Sequence, residues 1–264
     1  MDNGKNYVLG KGKIYFDRFA AGAVISAATR GEGERYLGNT PELSTTSSAE
    51  NLDHFSSEGG LKTKDDSVQL SLNRSGKLTC DNVSADNQAL FVLGTKGDLV
   101  QASAVAEVEL ITANRGRFYQ LGADALNPTG VRKVSNVVVK SGAGFITTVD
   151  ALGNYEVDAE LGRLYIESAA TDITDALEIQ VTYDVAASTR EQVISSSNTI
   201  YGALRFVADN PKGTNRDYYF PYVKLAPDGD YQLKGDVWQQ MGFTFEILDK
   251  APGIAAVYID GRAA

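Results

Sequence analysis

The sequence predicts a mainly β protein carrying a single α-helix. Three observations point there: period-two hydrophobic alternation recurs along the chain, turn-forming residues separate the alternating runs, and only one stretch shows helical spacing. The cleanest alternation is LEIQVTYDV, where Leu177, Ile179, Val181, Tyr183 and Val185 face one way and Glu178, Gln180, Thr182 and Asp184 the other.

Near the start, KIYFDRF reads as a strand and leads into the apolar run FAAGAVISAA at 19–28. That run falls well short of the ~20 residues a membrane span needs. Lys5, Lys11, Lys13 and Arg18 precede it as in a secretory leader, but the basic stretch is long, contains Asp17 and already alternates as a strand. A small-residue loop between two strands is the expectation. In the segment 47–67, Ser47 and Glu50 match a capping box ahead of Leu52 and Phe55, which predicts a helical turn before Gly59 and Gly60 within a long polar loop. Val68, Leu70 and Leu72 then alternate toward a core, and NRSG at 73–76 predicts a turn. Cys80 alternates with Leu78, which makes it a small buried hydrophobe.

SADNQALFVLG at 84–94 supplies the helix, with Ser84 as cap, Ala89, Leu90 and Leu93 on one face, and Gly94 as the stop. Ala106, Val108 and Leu110 are expected to face a core, turning Glu107 and Glu109 away from it. DAELG at 158–162 and PDGD at 227–230 are further turn signals, and Pro221 in YYFPY suggests an edge strand. Met241, Phe243, Phe245 and Ile247 form a last core-facing set, with Thr244 and Glu246 outward. A composition shift between about 117 and 189, bounded by NPTG and STRE, predicts a β-rich insertion in a sandwich built from 1–116 and 190–264.

Charge and motif content narrow the chemistry. With 34 acidic against 25 basic residues the net charge is −9, which disfavours gripping phosphates or anionic lipid. Cys80 alone excludes an intrachain disulfide and a Cys-rich zinc site, and fits folding in a reducing compartment. The sole histidine, His54, sits in NLDHFSSEGG beside Asp53, Ser56 and Ser57. Neighbours in extended chain point to opposite faces, so Asp53 is badly placed to orient His54 toward Ser56 as a triad requires. No Gly-Lys pair is followed by Ser or Thr, and the G-x-G triplets lack a third glycine in a strand-to-helix setting. Asp228 with Asp230, and Asp172 with Asp175, lack calcium-loop spacing. No catalytic, cofactor or metal residue is assigned, and an enzyme is not expected. YYFPY with Trp238 would offer a sugar-stacking platform, so a carbohydrate-binding β-sandwich, such as an adhesin, is the alternative function.

Several segments together resemble another family. They are GKIYFDR, RYLGNTPEL, AENLDHFSSEGGLKTKDDSVQLSLNRSGKLTCDNVSADNQALFVLG, GRFYQLG, REQVISS, GALRFVADNPKGTNRDYYFPYVKLAPDGDYQLKGD and WQQMGFTFEIL. In this order they resemble the major tail tube protein of long-tailed, siphovirus-type bacteriophages, over most of the chain and least closely over 127–187. The resemblance implies a tail-tube-type β-sandwich or barrel with one flanking helix, long inter-subunit loops and a C-terminal arm. It also implies homohexameric rings stacked into a tube in the virion tail, assembled in the host cytoplasm with tail terminator, tape measure and tail tip proteins, and no membrane. DNA would pass through the lumen without specific binding, and an acidic wall would keep it from sticking. On this reading the 47–67 loop docks on the adjacent ring through Leu52, His54, Phe55, Lys62, Lys64, Asp65 and Asp66. Glu107, Glu109 and Glu246 are the candidates for the lumen.

Overall fold

The structure, a computed structural model, describes residues 6–262. Lys5 and the outermost ends of the two flanking segments, 1–5 and 263–264, lie outside the described residues. In chain order the elements begin with β1 (Gly12–Arg18), β2 (Arg35–Tyr36), β3 (Glu42–Ser56), β4 (Thr63–Cys80) and the helix α1 (Ala85–Phe91). Next come β5 (Thr95–Gln101), β6 (Ala104–Ala113), β7 (Phe118–Gln120), β8 (Val134–Ser141), β9 (Thr147–Thr148), β10 (Tyr155–Asp158), β11 (Arg163–Ile166) and β12 (Leu177–Val185). The chain closes with β13 (Ser188–Ile194), β14 (Ile200–Ala208), β15 (Arg216–Asp228), β16 (Met241–Ile247) and β17 (Tyr258–Gly261). Among the described residues the fold is mainly β, with one α-helix and several antiparallel sheets.

Two compact units share the chain. The first ends at Lys96 and resumes at Val193, and the second runs from Gly97 to Gln192. The insertion therefore starts about twenty residues earlier than the composition shift at 117 suggested. The reason is pairing: β6 hydrogen-bonds along β12, from Ala113 opposite Leu177 to Glu107 opposite Tyr183. A change in composition does not register a ladder formed across so long a loop.

In the first unit an eight-stranded sheet runs β2-β1-β14-β15-β16-β4-β3, with β17 added beside β15. Its buried side holds Ile14, Phe16, Leu78, Leu204, Phe220, Phe243 and Phe245, and Leu90 of α1 joins the same core. Met241, Phe243, Phe245 and Ile247 alternate inward as expected. The helix keeps its cap, Ser84 Oγ accepting from the Asn87 amide at 3.2 Å. NRSG, by contrast, is no turn but strand interior. A Cβ on Gly76 would strike the Phe245 ring and the Ser44 carbonyl, so the glycine makes room for a core aromatic and not for a bend. Pro221 does not mark an edge either, because β15 lies between β14 and β16. It is tolerated in a register shift opposite Ala203, in the gap between the residues paired with β17 and those paired with β16. The small-residue stretch at 19–28 is a loop between β1 and β2, as expected. Buried Asp17 ties down the far end of that connection, accepting from the Gly31 and Gly33 amides at 2.9 Å each.

The second unit is a small sandwich of a four-stranded sheet, β6-β12-β8-β9, and a three-stranded sheet, β10-β11-β7. Ile111, Val139, Ile179 and Val181 from one and Leu164 and Ile166 from the other share a core. β12 alternates as expected, and DAELG turns β10 into β11. β6 has the opposite phase from the one expected. Ile111 and Ala113 are its buried residues, whereas Val108 and Leu110 are more than half exposed. Glu109 thus shares the inner side, where it accepts from the Gly122 amide at 2.9 Å and the Tyr183 hydroxyl at 3.3 Å. Burial first, and then the Glu109 carboxylate, raise the Tyr183 phenol. The run AVAEVELITA is apolar on both phases, so alternation alone does not tell which one the partner sheet selects.

Candidate assembly interface

The segment expected as a long loop with a helical turn is instead a long β-hairpin. β3 and β4 pair from Glu42 opposite Thr79 out to Ser56 opposite Thr63, leaving only 57–62 as the connection. Ser47 and Glu50, the two halves of the capping box, lie in strand opposite Arg74 and Ser71. A cap is worth about 1 kcal/mol, too little to outweigh a continuous ladder of backbone hydrogen bonds.

The outer part of this hairpin stands apart from the sheet. β4 pairs with β16 only from Arg74, opposite Ile247, to Cys80, opposite Met241. Among the described residues, the two strands beyond Ser48 and Asn73 pair only with each other, and we call this part the arm. Register shifts after Glu50 and after His54 add local twist. The arm carries Leu52, Phe55, Val68, Leu70 and Leu72, all between 44 % and 63 % exposed. Val68, Leu70 and Leu72, expected to face a core, have no core there to face. A two-stranded ribbon is marginal in water alone, and its apolar side chains gain nothing until something covers them.

Polar groups hold the arm in register. His54 Nδ1 lies 2.6 Å from Asp65 Oδ1, on the opposite strand. Asp53 receives Lys64 Nζ at 2.6 Å and the Ser67 hydroxyl at 2.7 Å, bonds that hold its carboxyl below the ordinary range. The histidine therefore pairs with Asp65 and not with Asp53, and no Ser-His-Asp arrangement forms among these residues. Lys62 ends the connection, and Asp66 sits opposite His54 with its Oδ1 accepting from the Ser67 amide at 2.7 Å. All seven residues expected to make contact are thus gathered in the outer part of one hairpin.

The three acidic residues expected to line the lumen belong to different units. Glu107 and Glu109 belong to the second unit, Glu107 directly opposite buried Tyr183. Glu246 is exposed on the side of the first sheet away from its core, opposite Lys224 and 3.4 Å from its Nζ. Other pairs are Lys77 with Asp228 at 2.7 Å and Arg205 with Glu34 at 2.7 Å. These pairs were invisible in the sequence because partners such as Lys77 and Asp228 become neighbours only once strand register is set.

The YYFPY aromatics are largely engaged within the chain. Phe220 packs on Phe245 at 5.7 Å between ring centres, Tyr222 on Tyr201 at 5.4 Å and Tyr218 on Phe206 at 6.2 Å, while Arg205 stacks 4.2 Å over Tyr219. Trp238, 92 % exposed, lies on an open cleft beside Asp81 and Val83. Cys80 is buried and burial raises its thiol, which suits packing and not attack. Among the described residues no cluster of His, Cys, Asp or Glu could hold a metal ion, and no helix is long and apolar enough to cross a membrane.

A family model described as Protein of unknown function UCP028589 matches residues 7–252, and the chain belongs to that family. No curated protein matches it.

Proposed function

We propose that this member of an uncharacterised family is a structural protein that polymerises into the tail tube of a long-tailed bacteriophage, with rings of six copies stacked around a passage for DNA. The observation that carries the reading is the arm. A ribbon paired only with itself and rich in exposed apolar side chains is an element built to be completed by a neighbour. Contacts between unlike surfaces of identical chains either close into rings or continue as filaments, and a tube uses both. The resemblance of the tail tube segments, which include this arm, gives the assembly its identity. Leu52, Phe55, His54, Lys62, Lys64, Asp65 and Asp66 are the contact residues, with tail terminator, tape measure and tip proteins as further partners.

For the passage, the net charge of −9 disfavours adhesion of a polyanion. Glu246 and Glu107, both exposed, remain lumen candidates, whereas Glu109 is engaged with Gly122 and Tyr183. Lys224 and Lys77 on the strands beside Glu246 are already paired with carboxylates, which blunts their attraction for phosphate. Negative-stain microscopy of the purified protein over a concentration series tests the proposal: rings or tubes with six-fold end views are expected, and dispersed single copies at every concentration would overturn it.

A further inference from the structure

We propose that the acceptor for the arm is a groove on the same fold, so that the arm of one copy inserts into the groove of a second copy. This rests on the assembly reading above and adds the surface that receives the arm. The groove, about 580 Å³, is floored by Ile14, Leu43, Phe206, Tyr218 and Phe220 and rimmed by Lys11 and Arg216. It is a concave surface within the first unit, in which polar side chains such as Asn39, Asn210 and Thr214 surround the apolar residues. The arm is its complement. Leu52, Phe55 and Leu61 are half-exposed or more, and Glu50, Asp53, Glu58, Asp65 and Asp66 outnumber Lys62 and Lys64 between Ser48 and Asn73. An acidic ribbon with apolar anchors thus meets apolar residues bordered by Lys11 and Arg216, which outnumber the one acidic lining residue, Glu42.

Geometry makes the contact intermolecular. Glu42, Leu43 and Thr45, at the base of β3, line the groove themselves, while the tip lies at the other end of the same strand. At ~3.3 Å per residue, Leu43 to Ser56 spans roughly 40 Å, so a paired, extended arm cannot return to its own groove. Donor and acceptor at opposite ends of one hairpin make a head-to-tail contact, which propagates.

The test places one cysteine at the arm tip, Ser57→Cys, and one on the groove rim, Thr214→Cys, in the full chain, and treats it with a short bismaleimide. Native Cys80 is buried. The double variant is expected to give a ladder of covalent multimers on a denaturing gel, whereas either single variant, with one accessible thiol per chain, stops at dimers. Lys11→Glu with Arg216→Glu should abolish the ladder, and adding Glu58→Lys with Asp66→Lys should restore it. Tubes without a ladder would overturn the groove assignment and leave the tube reading intact. A ladder without tubes would support the groove and overturn the tube, and neither product would overturn both.

Discussion

Asn87 is almost fully buried, and its amide nitrogen donates to the carbonyls of Leu37 at 2.7 Å and Asn82 at 2.8 Å while its oxygen accepts from Arg35 at 2.8 Å. One side chain thus fastens α1 to the chain before β3 and to the segment after β4. Asn87→Leu removes these three hydrogen bonds, leaving the Leu37 carbonyl the Cys80 thiol and the Asn82 carbonyl the Ser84 amide as partners, and should lower stability by about 2 kcal/mol in urea unfolding; a change under about 0.5 kcal/mol would refute the role. Gly76→Val should cost roughly 1–3 kcal/mol in the same measurement, because its side chain meets Phe245 and the Ser44 carbonyl. Asp53 makes a pH prediction. Its carboxyl, ordinarily near 3.8, is depressed in the folded state by Lys64 and then Ser67. Its contribution is therefore complete above about pH 3.8 and fades only as pH falls through the lower folded value. A carboxyl-carbon titration by NMR should find the Asp53 midpoint below 3.8, and one at or above it would contradict the pairing. None of these partners was readable beforehand, since Asn87 looks like any polar helix residue until Leu37 and Arg35 arrive beside it.

At the scale of elements, the arm is the part of the first unit that extends beyond its eight-stranded sheet. Replacing 49–72 with Asn-Gly joins Ser48 to Asn73, which already face each other across the hairpin, through a turn suited to two strands. The shortened chain should keep its unfolding free energy within about 1 kcal/mol, since the arm's exposed side chains contribute little to the fold. It should form no tubes; normal tubes from it would exclude the arm from assembly. The helix 84–94 and the strands β12 and β16 were legible because a cap, a stop and clean alternation are local signals. The arm was not. Its residues 51–60 hold turn-like serines and glycines, and the strand appears only when β4 supplies the opposing ladder. The phase of β6 was missed for a related reason, as apolar residues occur on both of its sides and the packing of the second unit chose between them.

For the whole molecule, two separate cores predict two separable folding units. Residues 97–192 expressed alone should unfold in a single cooperative urea transition and keep dispersed amide resonances. A broad, non-cooperative loss of signal would show that this unit depends on the rest of the chain. The sequence by itself determined a mainly β chain with one capped helix, a buried cysteine and an insertion near the middle, because hydrophobic period, capping and composition act over a few neighbouring residues. Tertiary structure alone decided that 47–67 is a paired arm, that Glu109 turns inward, that Pro221 lies inside a sheet, and that Leu43 and Arg216 border one groove. Each of these depends on which strand lies opposite which, and strand pairing is a long-range choice made by the packing of the whole.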